Sequence, residues 1–234
     1  MIVKAIKTCV FEEGEDLLIF IVKYVKKLPE RSVVVVTSKI VALAEKRTAS
    51  LISTKAKNKL IRIESQHAVP TKFVWLTVKD GMLMANAGID ESNANGKLIL
   101  LPKDSFKIAR LLRKKLQMQY KVKELGVIIT DSRTMPLRAG VVGVALGYAG
   151  FRGVKDYRGK GDIFGRTALY SRTNVADSLA TVAVLLMGEG SEQQPLAVIS
   201  NAPLAFCDTV NRKELEIPIK DDMYRPLFSK LLKK

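Results

Sequence analysis

Histidine, cysteine and tryptophan are nearly missing from this 234-residue chain, which has one His, two Cys and one Trp. The lone His67 is flanked by Gln66 and Ala68, so a Ser-His-Asp or Cys-His catalytic set has little to build on. Cys9 and Cys207 form no CxxC pair, which excludes a zinc knuckle or a disulfide framework and predicts two buried thiols. Aromatics make up 6% of the residues, too few to supply stacking platforms for single-stranded bases. Long apolar runs are also lacking. The longest candidate, around Val175 to Met187, falls short of the roughly 20 residues that a membrane-spanning helix needs. No basic-then-apolar leader opens the chain and no GxxxxGK[ST] phosphate loop occurs in it. The expectation is a cytoplasmic protein with no membrane partner and no nucleic acid.

What is present is apolar substance and positive charge. A hydrophobic content of 47% is ample for a folded core. The 39 Lys and Arg outnumber 23 Asp and Glu, giving a formal net charge of +16 and an attraction to anions that does not choose among them. A binding protein for RNA or an acidic partner is therefore a rival to an enzyme.

Periodicity predicts a helix over Asp16–Leu28, a buried strand over Val33–Thr37 and a second helix opening at Ser38-Lys39. Phe73–Thr77 and Leu83–Ala87 read as strands joined around Asp80-Gly81. Asp104-Ser105 cap a helix running to about Leu116, with Phe106, Ile108, Leu111, Leu112 and Leu116 inward. The glycine-rich stretch Arg138–Arg166 reads as the least core-like part of the chain. Asn174 caps a helix, apolar nearly all round and expected to be central, that stops at Gly188; Leu196–Ser200 is a late strand.

Two carboxylates stand out in this basic chain. Asp90 lies in the polar bend NAGIDESN (Asn86 to Asn93), and Asp131 ends the apolar run Gly126 to Ile129 and is followed by Ser132. A carboxylate at the end of a buried strand is costly unless a cation holds it, and this oxygen-rich pair suits magnesium or manganese. Ser38 and Lys39, at a strand-to-helix junction, offer backbone N–H groups, a hydroxyl and an ammonium to a phosphate. Glu189 stands where the apolar helix ends, against the negative end of its dipole, where a cation would relieve it.

In order along the chain, TSKIVALAE (Thr37 to Glu45), NAGIDESN, VIITDS (Val127 to Ser132), PLRAGVVGVALGYAG (Pro136 to Gly150), DYRGKGDIFGR (Asp156 to Arg166) and NVADSLATVAVLLMGEG (Asn174 to Gly190) resemble the coenzyme F-420 γ-glutamyl ligase family, including relatives suspected of acting on folates. The resemblance covers roughly residues 1–205, read as one domain or as two lobes with an inserted region at about 138–170, and leaves 206–234 as a basic amphipathic tail. It implies an α+β fold of mixed and antiparallel sheets with packed helices, in two intimately associated lobes of an intertwined homodimer. It further implies a ligase that uses GTP or ATP with magnesium or manganese to join L-glutamate to the carboxylate of an anionic deazaflavin or pterin acceptor. Carried over by motif, Ser38 and Lys39 are nucleotide contacts, Lys39 and Asp131 are catalytic, and Asn93 touches the nucleotide. Asp90, Asp131, Ser132 and Glu189 are metal ligands. The chain departs from the family pattern where a second lysine commonly follows TSK and this chain has Leu43. It departs again after Asp131, where a GRP-with-aromatic pattern gives way to Thr134-Met135-Pro136-Leu137. Such changes fit a divergent acceptor, or a catalytically degenerate member.

Overall fold

A computed structural model describes residues 1–50 and 53–228; the basic end Lys230–Lys234 lies outside the described residues. In chain order the elements are β1 (Ile2–Ile6), α1 (Leu17–Tyr24), β2 (Ser32–Thr37), α2 (Ser38–Ala44), β3 (Thr48–Ser50), α3 (Thr54–Ile63), β4 (His67–Pro70), β5 (Trp75–Lys79) and β6 (Met82–Ala85). Then come β7 (Lys97–Ile99), α4 (Ser105–Tyr120), β8 (Leu125–Thr134), β9 (Val141–Ala149), β10 (Val154–Asp156), β11 (Arg172–Asn174), α5 (Val175–Met187) and β12 (Leu196–Ser200). The architecture is α+β with mixed sheets.

The main sheet runs β1-β12-β2-β8-β9. Only β2 and β8 pair in parallel, with Thr37 opposite Thr130; the other neighbours are antiparallel. The valines of β2 explain its central place. Val34 and Val36 point into a core shared with α1 and α4, whereas Val33 and Val35 point into a second core under α5. A strand buried on both faces reads as an unbroken apolar run, as β2 does.

The helices begin where side chains cap them. Asp16, Ser53, Asp104 and Asn174 each accept a backbone N–H from the first turn, each worth about 1 kcal/mol. At the N-cap of α2, Thr37 makes no such side-chain bond.

Helix α1 stops at Tyr24, short of the expected Leu28, because Val25 turns extended at ψ 92° and its carbonyl accepts from the Tyr120 hydroxyl. Helix α4 runs a turn beyond Leu116 to Tyr120 and ends on left-handed Lys121. Its Leu111 faces solvent, and Arg113 takes a buried place instead, donating to the Leu125 carbonyl and to Asp208. Helix α5 is central on one face only, since Leu185 and Leu186 are exposed.

The glycine-rich stretch departs furthest from expectation. Its middle forms β9, whose Val144 to Ala149 are buried. Gly143 is required there: a Cβ would lie 2.4 Å from the Ala180 carbonyl oxygen of α5. Cys9 is exposed and Cys207 only partly covered, so neither thiol is buried as expected.

A smaller assembly covers one end of the main sheet. It comprises the pair β3-β7, helix α3 and the antiparallel β4-β5-β6, with Asp80 and Gly81 both at positive φ in the β5–β6 turn. His67 sits in β4 opposite Val78. Glu64, at the end of α3, ties this assembly together by accepting from Arg47 and Lys79, each at 2.8 Å. Met82 and Met84 of β6 pack with Leu101 against Val144 and Leu146 of β9. Beyond β12, Leu204, Phe206, Val210 and Leu215 return to the second core, and Glu214 accepts from the buried Tyr148 hydroxyl and from Gly153 N–H. No described helix is long and apolar enough to cross a membrane.

Candidate active site

Parallel pairing of β2 with β8 decides where the site forms. The parallel pairing ends with Thr37 beside Thr130, so Ser38-Lys39, which open α2, emerge next to Asp131-Ser132; these two do not end their strand as expected but continue β8 in its pairing with β9, Asp131 opposite Val144. The antiparallel β12 starts at the same end, Thr37 N–H donating to the Pro195 carbonyl at 3.0 Å. The link between α5 and β12 therefore brings Glu189 to this edge, where its Oε2 accepts from Ser132 Oγ at 3.1 Å.

Asp90 arrives from the smaller assembly. Its backbone bridges Ile99 through two hydrogen bonds of 2.9 Å, fixing the bend as an extra rung beside β7. Upstream, Asn86, Ala87 and Gly88 are all left-handed, with φ of 52°, 55° and 71°. Alanine in that conformation costs on the order of 1–2 kcal/mol. Two bonds hold it: Ala87 N–H donates to Thr77 Oγ1 at 2.8 Å, and Asn86 Oδ1 accepts from Trp75 N–H at 2.9 Å. At Gly88 a Cβ would fall 2.5 Å from Leu101 Cγ, so only glycine fits.

The Lys39 ammonium spends its three donors on this bend, reaching Asp90 Oδ2 and the Ser92 carbonyl at 2.7 Å and Ser92 Oγ at 3.2 Å. Ser92 in turn donates to Asp90 from its N–H at 2.8 Å and from its hydroxyl at 2.7 Å. Burial raises Asp90, but Lys39 and Ser92 outweigh it and hold the carboxyl below its ordinary value. Asn93 Nδ2 donates to the Gly190 carbonyl at 3.1 Å, closing the bend onto the Glu189 segment.

Asp131 behaves in the opposite way. Burial, then the neighbouring charges of Asp90 and Glu189, push it up to about 7 against the opposing Ser132 N–H and the Lys39 ammonium. Among the described residues no cation is bonded to its carboxyl, and the charges of Asp90 and Glu189 outweigh that of Lys39. Oxygen donors of this kind suit a hard divalent ion. They fit as a donor set that is only partly assembled, because among the described residues no group of three His, Cys, Asp or Glu side chains is already gathered closely enough to hold one.

The structure therefore brings Lys39, Asp90 and Ser92 into one bonded network and Ser132 and Glu189 into another, with Asn93 bonded to Gly190 beside the second and Asp131 under the charge of both. Ser38 is buried as the first residue of α2. Ser92 is the residue that the sequence reading missed. Its signal was present as Asp-x-Ser, a spacing at which a side chain can bond the backbone two residues on.

Residues 5–201 match the family described as F420-0:Gamma-glutamyl ligase. The chain belongs to that family. Among its relatives is the coenzyme F420:L-glutamate ligase of Methanococcus maripaludis strain C7, 33% identical over 216 residues that cover 85% of this chain and 86% of the relative. The protein of the same description from Archaeoglobus fulgidus is 36% identical over 83% of this chain and 84% of its own length. That of Methanosarcina acetivorans is 31% identical over 97% and 93%. The γ-glutamyl ligase family thus spans both the main sheet and the smaller assembly, including every residue of the site.

Proposed function

We propose that this protein is a γ-glutamyl ligase of coenzyme F420 biosynthesis, joining L-glutamate to the carboxylate of the deazaflavin precursor with a nucleoside triphosphate as co-substrate. The observation that carries the reading is the meeting of Ser38-Lys39 with Asp131-Ser132 where β2 ends beside β8, faced by Asp90 and Glu189, in a chain of this family. Magnesium or manganese, when bound by Asp90, Asp131, Ser132 and Glu189, supplies neutralisation of triphosphate charge.

The chain's own groups then position and stabilise. An acceptor carboxylate is a poor electrophile. Its oxygen attacks the γ-phosphorus, the nucleoside diphosphate leaves, and an acyl phosphate results. The glutamate amine attacks the acyl carbon, phosphate departs with the bonding electrons, and the amine loses a proton. Lys39 balances charge on the transferring phosphoryl group and Asn93 contacts the nucleotide, so the chemistry needs no protein nucleophile. GTP is the co-substrate in this reading and ATP its competitor. The exposed Ile163, Phe164, Tyr170 and Leu185 fit burial against a second copy in a homodimer.

An acceptor panel containing the deazaflavin precursor and a folate, each with GTP or ATP, L-glutamate and magnesium or manganese, tests the reading by mass spectrometry. A glutamyl addition to the deazaflavin precursor is expected. Addition to the folate alone would move the acceptor assignment, and no addition to either with any combination would sink the ligase reading.

A further inference from the structure

Next to Asp131 lies a cavity of about 120 Å³, walled by Met82, Met84, Val141, Val144 and Leu146 and bordered by Arg133. Arg133 Nε is buried without a hydrogen-bond partner, and Arg133 takes part in no ion pair among the described residues. Arg133 as a whole is half-buried, and two cations of low exposure elsewhere are satisfied: Arg113 by Leu125 and Asp208, Lys79 by Glu64. Native proteins seldom leave a buried charged donor unpaired, and an absent ligand group is one of the few physical reasons for it. Arg133 does not spend its charge on Asp131 either, since no bond joins them.

We propose that Arg133 and this cavity form an anion subsite for a second carboxylate or phosphate, borne on a short aliphatic arm of the substrate that reacts beside Asp131. The size of the cavity decides the arm. The space is small and lies directly against Asp131, which suits a short arm of a few heavy atoms. Beside the polar border of Asp131, Ser132 and Thr134, the rest of the wall is mostly aliphatic and thioether, which suits methylene groups, and the planar guanidinium suits a two-oxygen anion. Asp131 and Arg133 are two residues apart on β8, which places their side chains on one face of the strand roughly 7 Å apart. A molecule with two anionic ends separated by a few carbons spans that interval. The inference rests on the ligase reading for its reacting end, and glutamate is a molecule with such an arm.

Calorimetric titration of the full chain with glutarate, in magnesium and nucleotide, tests the subsite without turnover. Glutarate is expected to bind the wild type, with Arg133→Met weakening it at least tenfold and Arg133→Lys falling between. Unchanged affinity in Arg133→Met, or no binding to the wild type, overturns the proposal. Circular dichroism checks that the variants fold; should Arg133→Met not, Arg133→Gln replaces it. Kinetics then distinguish the source. A KM raised at least tenfold for glutamate assigns the arm to the amino acid, and the same rise for the acceptor assigns it there. Both KM values unchanged would overturn the subsite. Glutarate binding that depends on Arg133 in a protein without ligase turnover would remove the ligase reading and leave the subsite standing.

Discussion

At the scale of single residues the site is a set of unequal carboxylates. Asp90 is held ionised by Lys39 and Ser92, whereas Asp131 is pushed up to about 7. The native state therefore binds the Asp131 proton more tightly than the unfolded chain, and the carboxyl costs stability as pH rises from about 4 through 7. In metal-free protein Asp131→Asn should stabilise by about 1–3 kcal/mol at pH 8. The gain should fade between pH 7 and pH 4. Urea melts of both proteins across that range check the sign, and a destabilised variant at pH 8 would contradict it. Divalent ions compete with the same proton, so manganese affinity should rise up to about tenfold per pH unit below 7 and flatten above it, as titration calorimetry can read. Gly88→Ala should cost about 1–3 kcal/mol by denaturant melting, because it adds a Cβ at positive φ against Leu101.

Elements show what a sequence can and cannot carry. The caps at Asp104 and Asn174, the Asp80-Gly81 turn and strand β12 were all legible, because each depends on residues within a few positions of one another. The glycine-rich stretch misled because its glycines have two different tasks. Around Gly159 and Gly165 they make turns, but Gly143 and Gly147 let α5 and the start of α4 close on β9. Only the packing distinguishes them. Gly143→Ala should thus act at the level of α5, costing about 2 kcal/mol or more by forcing helix and strand apart. Thermal melting should show that loss, and a melting point within a degree of wild type would refute the close-approach argument. Candidate residues were individually visible in the sequence as acids, hydroxyls and an ammonium beside apolar runs. Their meeting was not, since it depends on the parallel register that sets Thr37 against Thr130. Ser92 escaped for a related reason: its value lies in bonding both Asp90 and Lys39, and Lys39 is distant in sequence.

On the scale of the whole molecule, three routes converge on one edge of the main sheet: β2 into α2, β8 past Thr130, and α5 into β12. The smaller assembly delivers Asp90 across that edge, and the Lys39–Asp90 ion pair is a direct tie between the two. The net charge of +16 gives the molecule a long-range attraction for anions, and in the proposed function that attraction would draw in nucleotide and polycarboxylate substrates. The exposed apolar residues at Ile163, Phe164 and Tyr170 lead to the expectation of a dimer. Light scattering at micromolar concentration should give about twice the 25.9 kDa of one chain. A strictly monomeric mass would refute that arrangement.

The central claim is that the carboxylates at this edge serve glutamyl transfer. Its most direct measurement is nucleotide-dependent formation of the glutamyl adduct by wild type and by Asp131→Asn, each confirmed folded by its melting curve. The account predicts adduct and phosphate in equal amounts from the wild type and at least a hundredfold loss of both in the variant. A wild type that forms no adduct, or a folded Asp131→Asn that turns over at the wild-type rate, would contradict it.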